Sequence, residues 1–329
     1  GLDFGLFHNR LYGEADVFYR VRDGIPGSRA VSLPDTFGAT LPTENLNSIN
    51  TRGFEFTLGY KGAAGDFRYN VAANISWARS KWGYYDEPEY TDPDLHATEP
   101  LMPTSTFFKQ KTAYEIDRDF GYRSNGLFTS QEEIDALDYR YLDGSDNSFL
   151  KQGDVHLLNT NGDDVLNWRD QVEIGNREPW AQGSFGLNAR WKNISLFASF
   201  LYEFGGQRYN STLVSQVENA NLERYNVDKR VSTDRWKKPG DVAPLKDIKD
   251  RSLVTRPTSR FIQDYNTLQF NSLSISYDFP AKLVKRWGLG MLRLTANMED
   301  LGYFSSVLQE RGLDYPYSRT VNFTLNLTF

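Results

Sequence analysis

The dominant period along the chain is two. Phe54, Phe56, Leu58 and Tyr60 alternate with Glu55, Thr57 and Gly59. Phe67, Tyr69, Val71, Ala73, Ile75 and Trp77 alternate with Arg68, Asn70, Ala72, Asn74 and Ser76. The same alternation runs through residues 183–191, 273–279, 292–299 and 321–329. Successive side chains of a strand point to opposite faces, so each segment acquires one apolar and one polar face. Helix-like stretches are confined to about 130–137, 222–229 and 281–287. The pattern predicts an all-β, antiparallel protein.

Alternation does not say which face is inside. A soluble sandwich buries its apolar face, whereas a membrane barrel turns it to lipid. The connections separate the two. Short ones fall at 8–10, 61–66, 192–193 and 280–290, and long ones at about 26–46, 87–99, 130–178, 210–257 and 306–316. Short and long mostly take turns, as in outer-membrane barrels with short periplasmic turns and long extracellular loops. With the last strand running down, strands at about 1–7, 47–61, 180–191, 258–279 and 317–329 run down. Those at 11–25, 67–86, 194–209 and 290–305 run up. Between 86 and 180 a further down strand and up strand are expected, with candidates at 100–114 and 118–128. The total is about eleven. Bacterial barrels have even strand counts, so the expectation is a C-terminal piece of a larger barrel, opening mid-fold on Leu2, Phe4 and Leu6.

Composition narrows the function. The 329 residues include no Cys, which removes disulfide scaffolds, thiol catalysis and cysteine zinc sites. His8, His96 and His156 form no metal-ligand spacing. A net charge of −6 lacks the basic footprint of a nucleic-acid binder. Mean hydropathy is −0.58 and no apolar run suits a membrane helix, which leaves a barrel open. The 22 Phe, 19 Tyr and 7 Trp suit a barrel with aromatic girdles. No G-x-S-x-G elbow or phosphate-binding glycine loop is present. Acidic neighbours such as Glu132-Glu133, Glu87 with Glu89, and Asp163-Asp164 are solvated loop charges rather than carboxylates held across a cleft. The chain is not expected to be an enzyme. Basic clusters at 235–238 and 285–286 are short, and the second is expected to anchor the barrel near lipid head groups.

Five blocks in order resemble one family. Thr51-Arg52-Gly53-Phe54-Glu55 resembles an N-x-G-x-E strand opening. Residues 120–134, with Gly121-Tyr122, Gly126-Leu127-Phe128 and Glu132-Glu133-Ile134, are similar to G-Y-x-x-D-G-I-F-x-S-x-E-E-I. Gly153-Asp154-Val155, Asn159 to Leu166, Asp170 and Ile174-Gly175-Asn176 resemble G-D-I, D-x-N-G-D-G-V-I-x-x-x-D and I-G-N-P. Residues 261–280 match F-V-E-D-x-S-Y-L-R-L-K-N-V-T-L-G-Y-x-L-P in spacing. Tyr315-Pro316 and Arg319-Thr320 resemble a closing Y-P-x-x-R-T, and the final Phe329 resembles the assembly signal of outer-membrane barrels. Together they resemble the C-terminal half of the barrel of SusC/RagA-type TonB-dependent transporters of Bacteroidetes. Thr51 replaces the asparagine of the opening, Gln269 replaces an arginine, and Asp300 stands at an asparagine before Leu301.

The resemblance implies a barrel of about 22 strands. Residues 1–329 would be its C-terminal part, with the plug domain and N-terminal strands not in this chain. It implies import of a glycan or peptide across the outer membrane, a SusD-like surface lipoprotein as lid, and a TonB complex engaged through the absent N-terminal part. The outer-membrane lipid would contact the apolar face. Arg68, Asn70, Asn188, Arg190, Arg293, Asn297 and Glu299 are expected to line the lumen or touch the plug. The alternative is a soluble or surface-attached β-sandwich that binds carbohydrate, with Phe185, Leu187, Trp191, Phe323 and Leu325 buried in protein. A weaker third reading, a barrel-associated enzyme, requires a cleft the sequence does not reveal.

One segment is a candidate metal site. Asn159, Asn161, Asp163, Asn167 and Asp170 place oxygens at relative positions 1, 3, 5, 9 and 12, and Val165 offers its carbonyl at 7, as in an EF-hand calcium loop. Asp164 stands where that loop has glycine, and position 12 is the shorter aspartate. An Asx-rich turn held by its own hydrogen bonds explains the segment better than Ca2+. Substrate-binding residues are not assigned. The loop aromatics Trp82, Tyr84, Tyr85, Tyr90, Tyr209, Tyr225 and Trp236 are sugar-stacking candidates, and the first, second and third also suit a membrane girdle.

Overall fold

A computed structural model describes residues 1–29, 33–34, 36, 38–86, 89–91, 98–100, 114–141, 146–220, 226–250, 257–307 and 319–329. Strands are numbered β1 to β17 in chain order. Nine of them form one antiparallel sheet in the order β1-β2-β3-β4-β13-β14-β15-β16-β17. These are β1 (Leu2–Leu6), β2 (Leu11–Gly27), β3 (Glu44–Ala64), β4 (Phe67–Tyr84), β13 (Ala181–Trp191), β14 (Ile194–Tyr209), β15 (Ile262–Asp278), β16 (Met291–Ser305) and β17 (Thr320–Thr328). Tight turns join β1 to β2 and β13 to β14. Phe7, His8 and Asn9 take left-handed backbone angles in the first, and Lys192 does so in the second. These turns share one edge of the sheet with the Gly65-Asp66 turn and the short helix Ala281–Arg286.

Register carries the period-two pattern across the whole sheet. Val17 pairs with Phe54 and Phe54 with Trp77. Leu187 pairs with Val71 and with Ala198, and Ala198 with Leu273. Leu273 pairs with Met298 and Met298 with Val321. Apolar residues therefore meet apolar residues from β2 to β17 on a single face. A one-residue slip in any strand would put its polar set there. That face is open: Val17 is 85% exposed and Phe323 is 74% exposed. Aromatic rings gather on it near the short turns, where Phe67 stacks with Tyr69 at 5.7 Å and Tyr277 meets Phe279 edge-on at 5.0 Å. Glycines admit large rings from neighbouring strands: a Cβ on Gly59 would meet the Tyr12 ring at 2.1 Å.

The sheet has nine strands rather than about eleven. β4 pairs directly with β13 along Gln182–Trp191, so no strand pair lies between them. Residues 118–128 form the short strands β7 (Arg118–Gly121) and β8 (Ser124–Leu127), outside the large sheet. Phe120, Tyr122, Leu127 and Phe128 are all buried, on both parities, because they face a core rather than lipid. Inserting or removing an up–down pair leaves every other strand direction unchanged, so direction counting could not detect the difference. The candidate strand at 100–114 lies, except for Tyr114, outside the described residues with placed side chains.

The excursions at the long-loop edge build a second unit. The segment between β4 and β13 holds the backbone hairpin β5 (Glu89–Thr91) with β6 (Thr98–Pro100), then β7, β8, helix α1 (Gln131–Asp135), β9 (Arg140–Tyr141), β10 (Val155–Leu157), β11 (Val165–Leu166) and β12 (Val172–Asn176). β8 pairs with β10, β9 with β11, and β7 with β12. The segment between β14 and β15 adds the short helices α2 (Ser211–Leu213) and α3 (Arg230–Thr233). The expected helix at 130–137 is therefore α1, capped by Ser130, whose side chain accepts from the Glu133 N–H. The expected helix at 281–287 is α4 (Ala281–Arg286). The third expectation, at 222–229, is partly outside the described residues, and helix begins only at Arg230.

Two apolar clusters fill this unit. The larger joins Tyr122, Phe128, Ile134, Tyr141, Leu157, Leu166 and others to Trp236 from the later excursion. The smaller joins Val217, Ala220, Val231, Leu245 and Phe261. Arg235 braces the smaller cluster from the inside. Its guanidinium donates to the carbonyls of Val231, Lys246, Val217 and Glu218. Burying one cation thus satisfies four backbone acceptors that the irregular chain would otherwise leave unpaired.

Candidate functional site

The polar face of the nine-stranded sheet bears the residues expected in a lumen. Arg68 sits opposite Arg190, Asn70 opposite Asn188, and Asn297 opposite Asn322. Tyr12 on β2 donates to Asn70 Oδ1 at 2.9 Å, reaching across β3 over Gly59. Asn74 donates to Ser184 Oγ at 3.0 Å, and Ser276 and Thr295 share a hydroxyl contact of 3.0 Å. Arg293 binds Asp278 through two contacts of 2.5 and 3.0 Å, and Arg190 lies 3.4 Å from the same carboxylate. Near the short turns this face sinks into a concavity of about 610 Å³ lined by Arg10, Lys61, Arg68, Asn70, Asn188 and Arg190 among others. Glu299 stands farther up β16, opposite Ser272 and Thr320.

The long-loop end is tied to the excursion by charge. Glu178 lies 3.4 Å from Arg79 of β4, and Arg79 also donates to the Pro179 carbonyl at 2.8 Å. Glu115 contacts Arg118, Arg79 and Arg52. Burial pushes the Glu178 carboxyl above its ordinary range, and the Arg79 charge pulls it back. Tyr265 and Tyr303 share a 3.0 Å contact between hydroxyls, and the Arg208 guanidinium lies 3.8 Å over the Tyr265 ring.

The candidate calcium loop is bound up with its own backbone. Asn159 Oδ1 accepts from Gly162 N–H, Asn161 Oδ1 from Asp163 N–H, and Asp163 Oδ1 from Val165 N–H. Asn167 caps a short 3-10 turn by accepting from Arg169 N–H. Asp170 is fully buried and accepts from Thr160, Asn161 and Asn167 N–H groups. The oxygens of five side chains therefore each have a donor within the loop. Among the described residues no group of three or more Asp, Glu or His is arranged to hold a metal ion.

The loop aromatics divide. Trp236 is buried and packs on Gly153, and Tyr209 lies edge-on to Phe261. Both belong to the interior of the extra unit. Trp82 meets Tyr85 edge-on at 4.8 Å, and Tyr84 is 51% exposed. Tyr225, the side chain of Tyr90, Glu87, the side chain of Glu89, His96, and the closing Tyr315-Pro316 lie outside the described residues. Sequence reasoning missed the buried ions: Lys246 with Asp250 at 3.4 Å, and Arg260 with Glu218 at 3.0 Å. Their one signal was the density of basic and acidic residues in an apolar-poor loop, which reads equally well as solvated surface.

The faces that a sandwich would bury are open. Phe185 is 37% exposed, Trp191 53%, Phe323 74% and Leu325 57%. Among the described residues no helix is long and apolar enough to cross a membrane, which does not bear on strands.

No protein-family model matches the chain. It is similar to two proteins of Formosa agariphila, TonB-dependent receptor P3 and TonB-dependent receptor P26. The first is 23% identical over 320 residues, covering 96% of this chain and 29% of the receptor. The second is 22% identical over 281 residues, covering 85% and 27%. Among solved structures, the RagAB peptide importer in the open-open state superposes with a TM-score of 0.66 at 18% identity, covering 99% of this chain and 33% of that one. The closed-closed state gives 0.61 at 17% identity over 92% and 31%. The chain thus spans about a third or less of the proteins it matches. It has the fold of a stretch of the barrel wall of outer-membrane TonB-dependent transporters, in keeping with its SusC/RagA-type motifs. Its relatives are receptors and transporters, not enzymes.

Proposed function

We propose that this chain is part of the wall of a TonB-dependent transporter that imports a glycan or peptide across the bacterial outer membrane. One observation carries the reading: an exposed apolar face runs unbroken over nine strands while the opposite face is polar and concave. A sheet with that polarity is stable in lipid and exposes its apolar rows in water. Residues 1–329 serve as the C-terminal part of the barrel, with the plug and the N-terminal strands in the remainder of a longer polypeptide. A SusD-like surface lipoprotein closes the outer mouth, seated on the unit built from the long loops. The Asn159-to-Asp170 loop is a self-held turn of that unit. Calcium is the rival occupant.

The test is made on the whole protein from outer membranes. Expected are a detergent-dependent species whose gel mobility shifts on heating, co-purification of a lipoprotein, and growth on a nutrient that stops when TonB is deleted. A protein that stays soluble without detergent sinks the reading and returns a carbohydrate-binding sandwich to first place. Calorimetry with calcium on the same material decides the loop: heat of binding abolished by Asp163→Ala assigns it to metal, and no heat assigns it to the turn.

A further inference from the structure

Arg68 on β4 and Arg190 on β13 are direct cross-strand partners on the polar face. Like charges placed directly opposite on neighbouring strands destabilise a sheet. One carboxylate, Asp278, reaches Arg190 at 3.4 Å, and it is shared with Arg293. Lys61 and Arg10 border the same concavity. Among the described residues Arg10, Lys61 and Arg68 meet no carboxylate, and Arg190 meets only Asp278, which Arg293 holds more closely. The rest of the lining is uncharged: amides and hydroxyls such as Asn70, Asn188 and Ser276 lie beside apolar groups such as Leu196 and Phe197. Asp278 apart, Glu14 shows how far an acid of this face stands from Arg68. Glu14 lies in the row of Thr57 and Asn74, so the strand from Arg68 to Asn74 separates it by on the order of 20 Å. That exceeds the screening length of about 8 Å at physiological salt.

A concave cluster of cations against an apolar wall raises a strong positive potential and calls for counter-charge. We propose that this cleft seats an acidic surface of the domain that fills the barrel, whose carboxylates meet Arg68, Arg190 and Lys61. The inference rests on the transporter reading and adds the residues and the charge of the contact. Position favours a resident occupant over passing cargo. The cleft lies at the short-turn edge, with Arg10 in the turn after β1 and Lys61 and Arg68 on either side of the Gly65-Asp66 turn. It is the end opposite the extracellular unit. A like-charge pair built permanently into the wall is best compensated by a group that is permanently there.

The test uses the full-length transporter in its own outer membrane. The double variant Arg68→Glu/Arg190→Glu puts like charge against the proposed carboxylates and repels them, so entry of vancomycin should rise about tenfold or more. Arg68→Gln/Arg190→Gln should leak less. In a second arm, benzoylphenylalanine replaces Asn188, which lines the cleft, and the photo-adduct is mapped by mass spectrometry. An adduct on an Asp/Glu-rich stretch of the filling domain supports the proposal, and this arm stands even where the charge-reversed variant fails to assemble. A heat-modifiable barrel that stays sealed in both variants overturns it. So does an adduct confined to a neutral or basic stretch, and so does loss of uptake restricted to acidic cargo without leak. A wild-type protein that is no heat-modifiable barrel refutes the transporter reading instead, and is told apart by that readout.

Discussion

Tyr122 and Phe128 are fully buried, whereas Val17 and Phe323 are 85% and 74% exposed, in one chain with an ordinary apolar content of 39%. The first pair belongs to the unit built from long loops and the second to the nine-stranded sheet. The loop unit follows the rules of a water-soluble domain. Its rings and aliphatic chains cluster inward, and opposite charges pair within it, as Arg260 does with Glu218. The sheet inverts those rules, with apolar rows outward and amides, hydroxyls and guanidinium groups on the concave side. Segment length matches the division. β3 runs for 21 residues, about twice the 9–11 that a membrane strand requires. Its long-loop end, from Glu44 to Asn50, is mostly polar and stands clear of the hydrocarbon, where the loop unit can dock on Arg52 and Arg79.

The contrast is broken most severely by truncating a ring on each side. Phe128→Ala removes a fully buried ring stacked on His156 at 4.4 Å and leaves a cavity. A loss of about 3–5 kcal/mol is expected, read as early protease cleavage of the loop unit while the barrel stays intact. Phe323→Ala should change urea unfolding in lipid vesicles by a small fraction of that. Equal losses at the two sites would mean that the apolar face of β17 is covered by protein. The next largest effect comes from charge. Leu187→Arg puts a cation on the outward face near the middle of β13, and should cost about 2–4 kcal/mol in vesicles. Asn188→Arg, one residue along on the concave face, should cost far less. Reversal of that order would exchange lipid and lumen sides.

These faces were legible in the sequence because period two is a local property. Phe54, Phe56 and Leu58 fix their own side of β3 whatever lies beside it. Turn chemistry was legible for the same reason, at Gly65-Asp66 and Lys192-Asn193. What could not be read was pairing at a distance. β4 and β13 join across almost a hundred residues, and nothing in either strand names its neighbour. The loop unit was hidden because its core is assembled from scattered positions: Trp236 enters the cluster of Tyr122 and Leu157 from a different excursion. The blocks at 120–134 and 153–176 carried a family resemblance, but as motifs rather than as a folded core. The basic cleft was half visible. Arg68, Asn70, Asn188 and Arg190 were placed on the lumen side, yet only register sets Arg68 against Arg190.

Within the loop unit, Asp170 sharpens the comparison by separating a structural anion from a surface one. It accepts from three backbone N–H groups at the root of the Asn159 turn, whereas Asp164 is exposed and, among the described residues, pairs only with Arg140. Asp170→Ala should destabilise the unit by about 2–3 kcal/mol, since hydrogen bonds to a charged group are lost and their donors stay buried. Asp164→Ala should be nearly silent. Hydrogen exchange at Thr160 and Asn167 amides is the direct measurement. Protection that survives Asp170→Ala but collapses on adding a calcium chelator would assign the loop's order to metal instead.

The smallest effect is carried by Asp154, and its sign is the informative part. Burial pushes its carboxyl up to about 6, against the Lys151 backbone N–H that donates to it and with the Asp250 charge adding to the rise. The folded state therefore binds a proton more readily than the unfolded chain, whose carboxyl titrates near 4. Between about pH 4 and pH 6 stability falls as pH rises, and above that window the loss is complete. At neutral pH a rise from near 4 to about 6 corresponds to about 3 kcal/mol at full strength, which solvent screening of a half-buried carboxyl cuts to on the order of 1 kcal/mol. Asp154→Asn keeps an acceptor for Lys151 and removes the charge, so it should raise stability at pH 7 and leave it near wild type at pH 4. His156, which burial pushes downward, acts in the opposite sense on acidification but is present in both proteins. The difference between the two melting curves, followed from pH 4 to pH 7, therefore isolates Asp154. A difference that is flat with pH would place that carboxylate in water, at the surface of the unit rather than inside it.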